Sequence, residues 1–153
     1  PVNQAIKQFN GWYERVIEVD PEGNLAFGIA NEVIPLFDQL VPASIRDAPI
    51  GAIYEWRADN LPLAIARRLV HQGGVALVID YGHVESAPGD TLQAVGGHAF
   101  ASPLQSPGEV DLTAHLDFGA FARAVESMGA RVSGPMTSSM RCLHPSHRSP
   151  WSV

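Results

Sequence analysis

Gly74-Val-Ala-Leu-Val-Ile-Asp-Tyr-Gly82 is the stretch of this 153-residue chain that decides its fold class. Five consecutive apolar residues, 75–79, follow two glycines and run into an Asp-Tyr-Gly corner. A short apolar run bounded by turn residues is typical of a parallel strand that is covered on both faces. We therefore predict a central strand at 75–79 with both faces buried.

Helices and strands alternate on both sides of this stretch. Before it, the pattern predicts a short strand, Gly51–Trp56, and a helix that is capped by Asp59 and ends at Gly73. After it, the predicted elements are the extended segments Asp90–Val95, Asp111–Leu116 and Ala130–Ser133 and the helix Phe118–Met128. This alternation is typical of an α/β fold with an open sheet.

The first thirty residues follow a pattern typical of antiparallel strands. Three extended pieces are separated by turn residues at Asn10-Gly11 and at Asp20-Pro-Glu-Gly-Asn24. We predict a β-meander over residues 1–30 and a Pro-rich connector over 31–50, since three prolines interrupt any long helix there. A partial α/β domain is expected over 51–137, and an irregular tail over 138–153.

Composition excludes several classes of partner. The net charge is −6 and the Lys and Arg residues are scattered, so no nucleic-acid partner is expected. No apolar run approaches the ~20 residues that span a bilayer, so no membrane insertion is expected. The single cysteine excludes an internal disulfide and favours a reducing, soluble compartment. Charged residues make up only 17%, which fits either strands buried on both faces or a piece that lacks its natural neighbour.

The corner after the apolar run is the first candidate site. Ligands of open α/β sheets bind beyond the carboxyl ends of the strands, and Asp80, Tyr81 and His83 lie at such an end. A carboxylate and an aromatic ring there could hold a cationic substrate or orient a nucleophile. In the alternative interpretation, Asp80 caps a turn and Tyr81 packs on its outer part.

A second polar group lies further along the chain. Asp90 and Thr91 belong to it, together with the stretch from Asp111 to Asp117. His115 and Asp117 could form an acid/base pair. Alternatively, Asp117 is the N-cap of the following helix and His115 is a hydrogen-bonded core histidine.

The tail contains histidine and cysteine residues, which often bind metals, but their pattern does not predict a metal site. His144 and His147 have the spacing of two imidazole ligands but no third ligand nearby, so no metal is expected. Cys142 has no adjacent base and is interpreted as an inert thiol. No Gly-x-Gly-x-x-Gly motif or P-loop occurs in the chain, so no phosphate cradle is predicted. We expect the tail to add nothing to folding or function.

Several motifs in one register resemble the MidA-like methyltransferases, a class I family that depends on S-adenosylmethionine. They extend from residue 1 to about residue 137. The motifs are Pro1-Val-Asn-Gln4, Gly11-Trp-Tyr-Glu-Arg-Val16, Leu25-Ala-Phe-Gly28, Gly74–Gly82, Gly89–Val95, His98-Ala-Phe100, Pro103-Leu104 and Pro107–Phe118. This family includes the mitochondrial arginine methyltransferase that assists assembly of respiratory complex I.

The resemblance implies both a fold and an activity. The fold would be the later half of a Rossmann-like methyltransferase sheet with the β-meander attached. The activity would be methyl transfer from S-adenosylmethionine to an arginine of a protein substrate, in the bacterial cytoplasm or the mitochondrial matrix. Asp80, Tyr81, Asp111 and His115 are the expected substrate-side residues, and the two carboxylates could orient the guanidinium through bidentate hydrogen bonds.

The chain also departs from the family pattern. The family's Gly-rich cofactor loop and its ribose-binding acidic residue would lie upstream of Pro1, and the likeness ends after Thr137. We therefore expect a C-terminal fragment that is inactive alone and does not bind the cofactor tightly. Its partner would be the missing N-terminal half, or a second copy joined through an exposed sheet edge. A non-catalytic protein-binding module and a non-functional remnant are the alternatives.

Overall fold

A computed structural model describes residues 2–136 of the chain. The elements within those residues are the strands β1 (Asn3–Gln8), β2 (Gly11–Val19), β3 (Leu25–Val33), β4 (Ile53–Trp56), β5 (Gly82–His83), β6 (Gln93–Gly96), β7 (Ala99–Ala101), β8 (Asp111–Thr113) and β9 (Leu116–Asp117), and the helices α1 (Phe37–Leu40), α2 (Ala43–Arg46), α3 (Asn60–Gln72) and α4 (Phe118–Ser127). The tail prediction, with Cys142, His144 and His147, lies outside the described residues.

The predicted β-meander forms, and β4 extends it to a four-stranded antiparallel sheet in the order β3-β2-β1-β4. β4 lies beside β1, with Ala5 opposite Tyr54. The first turn falls at residues 9–10, because Gly11 is already the first residue of β2. A Cβ atom at Gly11 would come within 2.6 Å of the Val33 side chain, so this position needs glycine for close strand approach.

Residues of the connector 31–50 pack against the sheet and cover the main hydrophobic core of the chain. Its predicted start is wrong, because residues 31–33 complete β3; the rest has no long helix, and α1 and α2 are single turns. Phe37 of α1 lies 5.8 Å from the ring of Trp12 and 5.2 Å from the ring of Trp56, measured between ring centroids. Ile45 of α2 is fully buried in the same cluster. Aromatic burial of this kind dominates the energy of a small core.

The remainder of the described chain combines helices with two further sheets. The helices predicted from apolar periodicity are present as α3 and α4, which pack against each other. Asp59 occupies the N-cap position of α3, but its side chain makes no capping hydrogen bond. β5 and β9 form a parallel pair, and β7-β6-β8 is an antiparallel sheet. The architecture is α/β.

The prediction of a buried strand at 75–79 is wrong for this structure. These residues form no strand, and Val75, Leu77 and Ile79 are 96%, 83% and 85% exposed. The physical reason is that a strand becomes buried only when neighbouring strands pair with its edges and helices cover its faces. Within residues 2–136 no strand pairs with this run.

Two other predicted strands also differ. Residues 130–133 form no strand, and the predicted strand Asp111–Leu116 is divided into β8 and β9, which belong to different sheets. Between β8 and β9, the backbone carbonyl groups of Ala114 and His115 accept hydrogen bonds from the side chain of Arg57. No helix in the described part of the chain is long and apolar enough to cross a membrane.

Candidate functional site

The Asp80-Tyr81 corner presents its side chains to solvent. Asp80 is exposed, and its Oδ1 accepts a hydrogen bond of 2.8 Å from the backbone N–H of Tyr81. Tyr81 is 86% exposed as a residue, whereas its carbonyl accepts a 2.8 Å hydrogen bond from Leu116 N. The backbone is thus held to β9 while both side chains are accessible. The hydrogen bond between Tyr81 N and Asp80 Oδ1 agrees with Asp80 as the cap of a turn, and it also agrees with Asp80 as a site residue.

His83 and Asp117 lie beside each other near this corner. They are register partners in the parallel pair of β5 and β9, and His83 Nε2 lies 3.8 Å from Asp117 Oδ2. Asp117 Oδ1 accepts a 2.8 Å hydrogen bond from Ala120 N at the start of α4. The predicted N-cap is therefore confirmed, and the histidine nitrogen that the structure places near Asp117 is that of His83.

The negative charge of Asp117 also acts on a neighbouring tyrosine. Burial raises the pKa of the Tyr54 hydroxyl above its usual range, and the nearby Asp117 carboxylate raises it further. Arg123 acts in the opposite direction on the same pKa. Tyr54 therefore remains a neutral phenol in the folded chain.

His115 is fixed through its backbone. Its N–H donates a 2.9 Å hydrogen bond to Thr91 Oγ1, and its carbonyl accepts a 2.6 Å hydrogen bond from the Arg57 guanidinium. Arg57 also donates to the carbonyl of Ala114 at 2.9 Å. The side chain of His115 is half-buried, so both interpretations of this residue stay open.

The four predicted site residues do not form one cluster. Tyr81 and His115 are brought to neighbouring backbone positions, because Leu116 binds the Tyr81 carbonyl. Asp111 lies on β8 opposite Val95, in a different sheet from the corner, and is exposed. The roles of Asp80, Tyr81, Asp111 and His115 therefore stay predictions.

A buried carboxylate that the sequence analysis missed connects the meander to the later part of the chain. Glu55 of β4 is only 9% exposed. Its Oε1 accepts hydrogen bonds from Gln4 Nε2 at 2.7 Å, Thr91 N at 3.1 Å and Leu92 N at 3.0 Å, and its Oε2 accepts one from Thr91 Oγ1. The sequence feature that could have predicted this role is a single acidic residue within the apolar strand Ile-Tyr-Glu-Trp.

Arg15 extends this network to the surface. Its guanidinium donates to Asp90 Oδ2 at 2.8 Å and to Gln4 Oε1 at 3.1 Å. The same group lies over the Phe27 ring, 3.7 Å from its centroid. Asp90, one of the second group of candidate residues, thus has a structural partner on β2.

Two surface depressions lie on the meander. One of about 360 Å³ is open and lined by residues that include Asn10, Tyr13 and Asn31. Another of about 130 Å³ is lined by residues that include Arg15 and Phe27. Neither is lined by the Asp80-Tyr81 corner. Within residues 2–136 no group of three or more His, Cys, Asp or Glu side chains is arranged to hold a metal ion.

Comparison with known proteins identifies relatives over nearly the whole chain. A family described as putative S-adenosyl-L-methionine-dependent methyltransferases matches residues 1–136. The mitochondrial protein arginine methyltransferase NDUFAF7 of Danio rerio is 30% identical over 139 residues, which are 90% of this chain and 32% of the relative. The NDUFAF7 homologue of Caenorhabditis elegans is 29% identical and covers 82% of this chain and 30% of the relative.

Solved structures agree with this assignment. An uncharacterized protein from Burkholderia thailandensis superposes with a TM-score of 0.66 and 26% identity, covering 84% of this chain and 36% of that chain. A structure from the same bacterium, bound to S-adenosyl-homocysteine, gives a TM-score of 0.67 and 27% identity, covering 84% and 35%. The present chain thus spans about a third of the length of the proteins that it matches.

The resemblance to methyltransferases in the sequence is confirmed by these matches. The motifs quoted above lie within the matched residues, and the α/β fold agrees with that of the solved relatives. The chain belongs to the family of putative S-adenosyl-L-methionine-dependent methyltransferases.

Proposed function

We propose that this chain contributes the substrate side of an S-adenosylmethionine-dependent methyltransferase that acts on arginine side chains of a protein. The observation that carries the proposal is the exposed corner of Asp80 and Tyr81 inside the family match. Relatives named protein arginine methyltransferases share this matched region.

The corner has the chemistry that an arginine side chain requires. A guanidinium binds a carboxylate through charge-assisted hydrogen bonds, and it stacks on the face of an aromatic ring. Asp80 offers the carboxylate and Tyr81 the ring, and both are open to a side chain that enters from another protein. The hydrogen bond from Leu116 N to the Tyr81 carbonyl would reduce the entropy that the Tyr81 backbone loses on binding.

The described residues do not fit the methyl donor. S-adenosylmethionine, when bound, supplies an electrophilic methyl group on a sulfonium sulfur. The chain contains no Gly-x-Gly-x-x-Gly loop, and the two depressions named above lie on the meander rather than at the corner. We therefore propose that residues of another chain segment or partner hold most of the donor.

The apolar run 75–79 is the proposed contact for that partner. Its exposed Val75, Leu77 and Ile79 directly precede the Asp80-Tyr81 corner. A partner strand that paired with this run would bury these side chains and would bring its own residues to the corner. Self-association of two copies through the same run is the competing outcome.

Peptide binding to the full chain tests the substrate proposal. An arginine-containing peptide and its lysine counterpart would be titrated calorimetrically against wild-type chain, Asp80→Asn and the exposed control Asp47→Asn. We expect a preference for arginine that Asp80→Asn weakens by about tenfold or more, since a charge-assisted hydrogen bond contributes about 1.5–3 kcal/mol. Equal binding by wild type and Asp80→Asn would contradict the role of Asp80.

A further inference from the structure

Phe100 and Asp111 lie on the same face of the small sheet β7-β6-β8. Both are register partners of Val95 on the central strand, Phe100 from β7 and Asp111 from β8. Paired residues of neighbouring strands project to the same face, so the ring and the carboxylate flank Val95 about 10 Å apart, which is two strand spacings. Ala94, which projects to the opposite face, is fully buried. The face of Phe100 and Asp111 is therefore the solvent side of this sheet.

Both side chains are accessible to a ligand. Phe100 is 81% exposed as a residue, and Asp111 is exposed as well. Among the described residues, the salt bridges are made by other carboxylates, those of Asp38, Asp90 and Asp117. An exposed aromatic ring and a carboxylate without a cationic partner thus lie side by side on one open sheet face.

The sequence around this face is anionic. Residues 69–122 contain six acidic residues and no Lys or Arg, although the whole chain has ten of these basic residues. Two of the six, Asp90 and Asp117, have structural contacts within the fold. Asp111 is one of the others, and its charge is open to a partner. A positively charged partner is complementary to such a surface.

The protein itself shows how a ring and a carboxylate together hold a guanidinium. Arg15 lies over Phe27, 3.7 Å from the ring centroid, while it donates a 2.8 Å hydrogen bond to Asp90 Oδ2. A guanidinium is planar, so it can stack on an aromatic ring and donate to a carboxylate at the same time, which the compact ammonium of lysine does less well. Phe100 and Asp111 present the same two chemical groups on the solvent side of their sheet.

From this arrangement we propose that Phe100 and Asp111 bind an arginine side chain of a protein partner. The ring would stack on the guanidinium plane, and the carboxylate would accept its N–H groups. The proposal rests on the proposed function for the class of partner, a protein that carries arginine side chains. The contact serves recognition and lies apart from the Asp80-Tyr81 corner, because β8 belongs to a different sheet from β5, which follows that corner.

Amide NMR spectra of the full 153-residue chain test the proposal. The probes are the terminally blocked tripeptides Gly-Arg-Gly, Gly-Lys-Gly and Gly-citrulline-Gly, titrated at about 0.15 M salt, where distant charges are screened. Citrulline has nearly the shape of arginine but no charge. We expect Gly-Arg-Gly to shift the amide signals of β6, β7 and β8 saturably, Gly-Lys-Gly to bind more weakly, and the citrulline peptide to cause no shift. Equal shifts from the arginine and citrulline peptides would overturn the proposal.

Four variants assign the binding to the two side chains. Asp111→Asn and Phe100→Leu should each weaken binding of Gly-Arg-Gly about fivefold or more, because each removes one of the two contacts. Phe100→Tyr keeps an aromatic ring and should bind as the wild type does. Glu109→Gln neutralises an exposed acid nearby and should leave the affinity unchanged. A loss in Glu109→Gln as large as that in Asp111→Asn would indicate general charge attraction and overturn the proposal.

The location of the shifts separates this proposal from the proposed function. Asp80→Asn should leave the shifts of β6, β7 and β8 unchanged, since it alters only the corner. Shifts confined to residues 80–82 would support the corner as the arginine site and overturn the assignment of Phe100 and Asp111. Shifts confined to β6, β7 and β8 would support that assignment and contradict the role of the corner. A chain in which neither region responds would contradict both.

Discussion

At the scale of single residues, the hydrogen-bond donors around a carboxylate decide what it does in this chain. Asp80 is exposed and available to a ligand, Asp117 caps a helix, and Glu55 holds separate segments together. All three are acidic residues beside apolar stretches, so their local sequence does not distinguish them. The donors that surround each carboxylate make the difference.

Removing the carboxylate of Glu55 should destabilise the chain. Glu55→Leu has a similar size but would leave the N–H groups of Gln4, Thr91 and Leu92 without their acceptor. Each buried donor left unsatisfied costs about 1–3 kcal/mol, so we expect a loss of ~3 kcal/mol or more in the free energy of unfolding. Urea unfolding measures it, with the exposed Glu14→Leu on β2 as control. A loss below ~1 kcal/mol for Glu55→Leu would mean that water replaces these hydrogen bonds.

At the scale of secondary-structure elements, helices and strands depend differently on their neighbours. α3 and α4 form where their apolar periodicity places them, because a helix satisfies its backbone hydrogen bonds internally. The run 75–79 has strong strand character, yet it remains unpaired and exposed. A strand needs a hydrogen-bonding partner from elsewhere in the sheet.

The exposed run should therefore drive association. A long apolar segment with unpaired backbone groups is a template for pairing with another chain. Leu77→Glu should weaken self-association or partner binding about tenfold or more, since burying a leucine contributes about 1.5–3 kcal/mol. Sedimentation analysis over a concentration series measures the effect. Val70→Glu, which changes a half-exposed residue of α3, is the control. If Leu77→Glu and wild type sediment identically as monomers, the run is not an interface.

At the scale of the whole molecule, the described residues form one well-packed hydrophobic core, and many apolar side chains outside it are exposed. The aromatic cluster of Trp12, Phe37 and Tyr54 lies between the meander and the connector. Glu55 ties that unit to residues 91–92, but many apolar side chains beyond it stay exposed. Such exposure is typical of a surface that a partner covers.

The isolated chain should bind S-adenosylmethionine weakly. Glycine-rich loops and helix N-termini supply much of the specific contact to nucleotide cofactors in open α/β folds, and this sequence has no such glycine motif. Calorimetric titration should give a dissociation constant weaker than about 1 mM, which corresponds to a binding free energy of about −4 kcal/mol. A micromolar constant would show that the donor site lies within these 153 residues. S-adenosyl-homocysteine serves as a second ligand in the same titration.

The sequence by itself determined the features that depend on nearby residues. The meander, the positions of α3 and α4 and the Asp117 cap follow from periodicity and turn residues, and the family is identified by the resemblance of its motifs. Tertiary structure alone decided that Glu55 binds Gln4 and Thr91, 51 and 36 residues away, that His83 rather than His115 approaches Asp117, and that 75–79 is exposed. The physical reason is that local patterns set backbone conformation, whereas burial and polar pairing depend on which distant segments fold against each other.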